Sequence, residues 1–454
     1  MSWHAPASTL ERGLVYALFA PIVGIASVLD PFRKILLAVV VLDIPFQIDT
    51  NLDHLDGVAE FGGLGGFNVS LTTAALVGLY ATWLLDCLVR RTRPAWPSLS
   101  LVVPLALYLA FAALSLLTAY DVELSLRELF LLVQMFLLYV YLVGSVRSWP
   151  DARFIVTLLL CGLLLESLII VQLLRTGEGF RIAGLVGRIG SSPDDIGGGA
   201  RVAGTIGSPN NAAAYLSMLL APAAAVLVTR LGRAHKVLAA LALTLGSVAL
   251  IGTQSRGGWL AAGLSLTIVC VSLWRRRKLS LGVPLLLMGV VVVVSMMFQA
   301  VITQRLTGDD RGSAQSRLPL MGMAVEIISG NPVLGVGANN YSAALERNAS
   351  TLRGDWLYTV HNKYLLVWAE VGIGGLVAFL WFLVATIRRG WQRWTRADPL
   401  LSPLALGFTA ALMGHMVHMQ VELFNGRPQI QLLWVVAALV GVMSRIDAPS
   451  SSHS

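Results

Sequence analysis

Apolar segments long enough to cross a lipid bilayer recur along almost the whole sequence, and they restrict what the chain can fold into. A helix needs about 20 mainly apolar residues to span the hydrocarbon layer. Because hydrocarbon offers no partner to a free backbone N–H or C=O group, each such run is expected to be a helix. The candidate runs are 13–30, 34–48, 68–88, 100–118, 128–146, 154–174, 210–229, 236–252, 257–274, 279–303, 363–387, 404–423 and 428–444.

The composition supports a chain that is embedded in a membrane. Hydrophobic residues make up 56% of the sequence and charged residues only 13%, whereas a soluble domain carries about a quarter charged residues. We therefore predict an all-α fold, a polytopic membrane helix bundle of about 12 (12–13) transmembrane helices that forms a single membrane domain over residues 1–454. The first two runs are short and contain proline, so whether residues 13–30 cross fully is left open.

The connectors between the runs predict the orientation of the bundle. One set is rich in Arg and Lys and, with Arg445, holds more than half of the 33 basic residues; its members are 31–34, 89–94, 147–153, 230–236, 275–278 and 388–396. Short basic connectors stay on the cytoplasmic side of a membrane, which accounts for the net charge of +8 without a nucleic-acid partner. The loops 175–209 and 304–362 then face the other side, and the tail 446–454 is a disordered cytoplasmic segment.

The loop 304–362 is the longest polar interruption and ends beside His361, at the mouth of the run 363–387. We expect short surface helices within it. An imidazole that is neutral near pH 7 can accept a proton from a sugar hydroxyl; a purely structural histidine is the alternative. Gly372 lies eleven residues further on, about 20° around an ideal helix from His361, so its bare surface is predicted to let another helix pack below the site.

The charged residues on the side opposite the basic connectors include several arginines at notable positions. A guanidinium stays charged and matches phosphate oxygens with two parallel hydrogen bonds. Arg256 lies in a connector of a few residues between two runs, Arg317 begins a short amphipathic helix suited to lying on the membrane, and Arg201 precedes a helix cap at Ser208. These positions indicate a phosphate-bearing ligand at the membrane surface; the alternative is that the arginines contact membrane lipids or brace loops.

No spacing of ligand-type residues predicts a metal site or another cofactor. The three cysteines lie inside apolar runs, and His415 and His418 are one helical turn apart with no third ligand close in sequence. The paired aspartates 194–195 and 309–310 lie in polar loops, where solvated carboxylates are the expected state. We therefore expect no metal and no cofactor.

Four segments form a recognisable set: SPNNAAAY, QSRGGWLA, QSRLPLMGMAVEII with NPVLGVGANNY, and HNKYLLVWAEVGIGG. Together they resemble the O-antigen ligase and polysaccharide polymerase superfamily, mainly over residues 200–440. The resemblance implies an inverting, metal-independent glycosyltransferase that uses a glycan on undecaprenyl pyrophosphate as donor, at the periplasmic face of the bacterial cytoplasmic membrane. It also implies that Arg256 and Arg317 bind the pyrophosphate, with Arg201 as a weaker match, and that His361 is the catalytic base.

The remaining site candidates are the polar residues Asn210, Asn340, Tyr341 and Asn362, which are placed to contact sugar or to orient His361. The acceptor hydroxyl is carried by another lipid-linked glycan in a polymerase or by lipid A-core in a ligase, and the sequence does not separate the two. A protein hydroxyl is a third possible acceptor. The alternative function is a flippase or transporter for lipid-linked oligosaccharide, which predicts charged residues along a path through the spans.

Overall fold

A computed structural model describes residues 30–89, 99–182, 184–190, 201–276, 317–348, 358–396 and 398–447, with the single positions 299 and 303. Helices dominate this part of the chain. The bundle is built from α1 (Asp30–Phe46), α2 (Asp56–Glu60), α3 (Leu71–Val89), α4 (Leu99–Leu114), α5 (Val122–Ser145), α6 (Trp149–Thr176), α7 (Pro209–Leu227), α8 (Arg233–Gly252), α9 (Arg256–Arg275), α10 (Arg317–Gly330), α11 (Tyr341–Asn348), α12 (Lys363–Trp394), α13 (Leu401–His418) and α14 (Arg427–Met443).

The expectation of a mostly helical membrane protein is confirmed. Six helices, α5 to α9 and α12, are long and apolar enough to cross a membrane, and shorter apolar helices accompany them. Eleven of the apolar runs coincide with helices to within several residues at each end. The runs 13–30 and 279–303 and the tail 446–454 lie almost wholly outside the described residues, so the total of 12–13 spans stays a prediction.

Two small antiparallel sheets make the prediction of an all-α fold incomplete. Strands β1 (Asp49–Leu52) and β2 (Phe67–Ser70) pair with Asp49 opposite Ser70. Strands β3 (Phe180–Ile182), β4 (Leu185–Gly190) and β5 (Arg201–Gly204) form a three-stranded sheet in that order. Both sheets lie in connectors too polar to cross a bilayer, where pairing with another strand satisfies the backbone groups that a helix would pair internally.

Small residues let the central helices approach closely. α13 packs on α7 and α9, and a side chain at Gly407 or Gly414 would collide with the backbone of α7 or α9. Helices in lipid gain little from the hydrophobic effect, so they depend on this close van der Waals packing. The buried side chains of α7, α13 and α14 therefore form the centre of the bundle.

The two ends of the bundle differ in chemistry. At one end lie both sheets, α10, α11 and the first residues of α7, α9, α12 and α14. At the other end, the basic connectors pack together: Arg276 stacks on Trp394 at 4.5 Å from the ring centre, and Arg389 donates to the Ser100 carbonyl. This separation follows from the alternation of basic and non-basic connectors in the sequence.

The loop 304–362 contains α10 and α11; residues 304–316 and 349–357 lie outside the described part. α10 was expected to lie on the membrane, but its stripe of Leu320, Met323 and Ile327 packs inward against Val360 and Leu366. Leu318 and Val325 are its large hydrophobic side chains that stay exposed. The apolar stripe is therefore used to dock the helix on α12.

A buried ion pair ties α14 to α1 and to strand β1 at the end that carries the sheets. The Arg427 guanidinium donates to Asp43 Oδ2 at 2.7 Å and to Asp49 Oδ2 at 3.0 Å, and its side chain is only 1% exposed. Thr72 donates to the same Asp43 oxygen through its backbone N–H and its hydroxyl. Because a buried charge without a partner is costly, these donors hold three segments in one arrangement.

We expect Arg427→Met to destabilise the protein by about 3–5 kcal/mol, because two carboxylates lose their shared cation. The measurement is thermal unfolding of the detergent-purified protein. The triple variant that also carries Asp43→Asn and Asp49→Asn should recover part of the loss, since no unpaired charge remains. If Arg427→Met unfolds at the same temperature as the wild type, the ion pair does not stabilise this end of the bundle.

Candidate active site

Five segments meet at the end of the bundle that carries the sheets. They are β5 with the start of α7, the turn 253–256 before α9, the start of α10, the turn before α12, and the connector 419–426 between α13 and α14. β5 is positioned by Glu166 in α6, whose carboxylate accepts hydrogen bonds from the backbone N–H and the hydroxyl of Thr205. Polar groups from several helices are thereby brought to one place.

Glu422 lies at the centre of this meeting point, and the sequence offered no signal for it. Its side chain is 8% exposed. Oε2 accepts a hydrogen bond from Asn210 Nδ2 at 2.5 Å, and Oε1 lies 3.9 Å from His361 Nε2. Asn210 Oδ1 in turn accepts from Arg201 Nη2 at 2.7 Å. A connected set of side chains therefore runs from Arg201 through Asn210 and Glu422 to His361.

His361 is enclosed on one face by an aromatic ring. Tyr358 stacks on the imidazole with 5.2 Å between ring centres and 28° between the planes. Burial, and then the negative charge of Glu422, raises the pKa of the Tyr358 phenol, so this neighbour stays neutral. His361 Nδ1 is buried without a hydrogen-bond partner in the described part of the chain, while the side chain as a whole is 20% exposed.

The turn that carries His361 is tied to the connector that carries Glu422. Asn362 caps α12, because its Oδ1 accepts from the backbone N–H groups of residues 364 and 365. Its Nδ2 donates to the Gln420 carbonyl at 3.1 Å. Lys363 adds two bonds, from its backbone N–H to the Met419 carbonyl at 2.9 Å and from Nζ to Asn425 Oδ1 at 2.5 Å. Asn362 is thus placed to orient His361.

Arg201 and Arg256 lie at the same end of the bundle. Arg201 Nε donates to the Thr253 carbonyl at 3.1 Å, in the turn that leads into α9. Arg256 is the first residue of α9, partly exposed, and Ser255 caps that helix. A side chain at Gly257 would contact Val421, next to Glu422, which places the start of α9 against the same connector.

Arg317 begins α10 and is partly exposed. It lies near enough to His418, at the end of α13, for its charge to act on that imidazole. His415 and His418 both contact the Phe424 ring, with centroid distances of 4.9 and 4.8 Å. The three candidate arginines therefore lie at the end of the bundle that carries the connector 419–426, although they come from distant parts of the sequence.

Two candidates, Asn340 and Tyr341, are buried inside the bundle. Asn340 is 0% exposed; its Oδ1 accepts from the Asp121 N–H at 2.6 Å and its Nδ2 donates to Ser125 Oγ at 2.9 Å. Tyr341 is 1% exposed and its N–H donates to Glu370 Oε1 at 3.2 Å. In this arrangement both residues brace the segment before α11, and neither presents its side chain to a ligand.

Gly372 packs against the loop before α11 and not, as the sequence had predicted, against another helix. It interrupts α12 with φ 76° and ψ 178°, a backbone conformation that favours glycine. A side chain there would collide with the backbone carbonyl of Val333, and the next N–H, of Ile373, donates to the Pro332 carbonyl at 3.0 Å. The bare surface below His361 therefore receives the loop before α11 and kinks α12.

Comparison with known proteins adds one family. Residues 239–380 match the family model described as O-antigen ligase. This stretch includes Arg256, Arg317, His361 and Gly372, and it ends before Glu422. No curated protein matches the chain.

We expect Gly372→Ala to destabilise the protein strongly, because the new methyl group meets a backbone carbonyl and the positive φ disfavours a side chain. Gly263→Ala is the matched control: Gly263 lies in α9, and no atom lies within 4 Å of the position that a methyl group would take there, so better helix propensity should leave it neutral or slightly stabilising. Thermal unfolding of both purified variants is the measurement. Equal unfolding temperatures for the two would contradict the close approach at Gly372.

Proposed function

We propose, on the premise that the chain belongs to the O-antigen ligase superfamily, that it is a membrane glycosyltransferase that moves a glycan from undecaprenyl pyrophosphate to an acceptor hydroxyl. Family membership by itself implies transfer of glycosyl groups and substrates of the lipid-linked glycan class. One observation supports the choice of donor and mechanism: His361, Glu422, Asn210 and Arg201 form a connected set of side chains. The set places an imidazole that can act as a base near a guanidinium that can bind phosphate.

His361 is the proposed general base. The acceptor oxygen attacks the anomeric carbon of the donor sugar, its proton passes to the imidazole, and the bond between that carbon and the phosphate oxygen breaks with inversion. A hydroxyl is a weak nucleophile until it is deprotonated, and a positioned base contributes about 10²–10⁴ in rate. Glu422, close to Nε2, stabilises the imidazolium that forms, as a carboxylate does in other base–carboxylate pairs.

The arginines have the complementary role at the leaving group. Pyrophosphate leaves without a proton, so its developing charge needs electrostatic stabilisation. Preorganised positive groups at such a position contribute a few kcal/mol each. Arg201, Arg256 and Arg317 come from three different elements, and a diphosphate among them would be held in one orientation. In this scheme no metal ion takes part.

The same scheme assigns the two ends of the bundle to the two sides of the membrane. The basic end is cytoplasmic by the rule that short basic connectors stay inside, so the candidate site faces the periplasm. The polyprenyl chain of the donor can lie between or beside the spans. Exposed side chains such as Leu260 in α9 and Trp381 in α12 are suited to contact lipid.

Two of the buried carboxylates favour a transferase over the alternative flippase or transporter. Asp43 is paired with Arg427, and Glu166 accepts two hydrogen bonds from Thr205, so both carboxylates are engaged in holding connectors. Neither is left to line a path for a substrate. The acceptor distinguishes a polymerase from a ligase. A polymerase would give a ladder of products with a lipid-linked glycan, and a ligase would give a single addition to lipid A-core.

We expect His361→Ala to lower glycan transfer by roughly 10²–10⁴-fold with normal membrane insertion and normal folding. The measurement is in vitro transfer from undecaprenyl-pyrophosphate glycan in the presence of EDTA, with each acceptor. The mutated protein should elute and unfold like the wild type. Retained transfer would refute the base assignment, and a requirement for divalent cation would refute the metal-independent scheme.

Glu422→Gln should lower the turnover number about tenfold or more, because the amide cannot stabilise an imidazolium as a carboxylate does. We expect the KM for the donor to change much less than the turnover number. The matched control is Glu326→Gln, the same chemical change at an exposed position of α10, which should have no effect. A Glu422→Gln variant that differs from wild type only in KM would assign Glu422 to donor binding instead.

A further inference from the structure

The last turn of α5 is surrounded by arginines at the end of the bundle opposite the candidate site. A helix leaves its last four carbonyl groups without an internal partner. In α5 the Leu142 carbonyl accepts from the backbone N–H of Val146. The other three, of residues 143, 144 and 145, accept from Arg445 Nη2, Arg147 Nε and Arg33 Nη2, at 2.5, 3.0 and 2.9 Å.

A fourth arginine joins this group. Arg389, near the end of α12, donates to the Ser100 carbonyl at 2.9 Å, and Arg445 lies near enough to both Arg389 and Arg147 for their charges to repel. The four residues, which we call the α5 arginine cluster, come from α1, the connector before α6, α12 and the segment after α14. Three of these arginines, Arg33, Arg147 and Arg445, each cap the end of α5 through one hydrogen bond to a carbonyl group, which is a favourable place for a positive charge.

Capping does not explain the excess of positive charge. No carboxylate lies within 4.0 Å of any arginine of the cluster in the described part of the chain. By contrast Arg393, only four residues from Arg389 in α12, is paired with Asp398 at 2.6 Å. Each guanidinium has five N–H donors. Arg147 and Arg445 are exposed, so these two can donate to an anion in addition to their carbonyl contacts.

We propose that the α5 arginine cluster binds the phosphate group of an anionic phospholipid in the leaflet at that end of the bundle. Planar guanidinium groups suit phosphate oxygens, and basic residues next to a membrane attract anionic lipid by about 1 kcal/mol each. A lipid is favoured over free phosphate because the cluster lies where apolar helices end, so acyl chains can lie along their exposed side chains. Bound there, the headgroup offsets the repulsion among the arginines.

The test uses the full chain purified in a neutral detergent. Binding of dioctanoyl phosphatidylglycerol, dioctanoyl phosphatidylcholine and inorganic phosphate is measured by native mass spectrometry and by the shift in thermal unfolding. We expect the wild type to prefer phosphatidylglycerol. The double variant Arg389→Gln with Arg445→Gln should bind it roughly 25-fold more weakly, at about fivefold for each arginine.

Two further variants keep the result interpretable. Arg389→Lys with Arg445→Lys retains the charge and should retain most of the binding even if the Gln variant folds poorly. Arg276→Gln removes an arginine at the same end that already stacks on Trp394, and it should bind like the wild type. Equal affinity of the wild type for both lipids, or unchanged binding by the double Gln variant, would overturn the proposal. Equal protection by inorganic phosphate would overturn the lipid assignment.

Discussion

The ion pair between Arg427 and Asp43 supports the connector from which the candidate site is built. That connector, residues 419–426, leaves α13 after His418 and ends where Arg427 begins α14. At its far end the buried guanidinium is held by two aspartates, and along its length Asn362 and Lys363 bind its carbonyl and amide groups. A segment of eight residues pinned at both ends has few alternatives, so Glu422 is held in position without belonging to a helix.

Much of the bundle follows from the sequence, because burial in hydrocarbon leaves few options for an apolar run. The same constraint explains why Arg201, Arg256 and His361 come together. Each lies in or next to a connector on the same side of the spans, so any folded arrangement places all of them at one end. Because the turn 253–256 is short, α8 and α9 must be neighbours. Arg201 of β5 donates to the Thr253 carbonyl in this turn, so Arg256 lies near β5.

What the sequence does not determine is which polar residue faces the site. Glu422 was missed because the apolar run 404–423 placed it inside a predicted span, whereas the helix ends at His418. Its importance arises only from contacts with Asn210 and His361. For Asn340 the error was the opposite one. Its position beside Tyr341 in a loop predicted a ligand contact, yet its amide donates to the Asp121 carbonyl and to Ser125 Oγ inside the bundle. The direction of a side chain in a loop is a property of tertiary packing.

The role of Asn210 explains how an arginine and a glutamate can share one site without cancelling each other. An amide has an acceptor at one end and donors at the other. Because a guanidinium has no acceptor, Oδ1 must face Arg201, and Nδ2 then faces Glu422. A direct ion pair would commit the charge of Arg201 to the carboxylate. With Asn210 between them, the glutamate is satisfied as a buried acceptor and remains near His361. The arginine keeps the net positive charge that the proposed phosphate binding requires. The bridging amide would therefore let the proposed base and the proposed phosphate-binding arginine lie side by side.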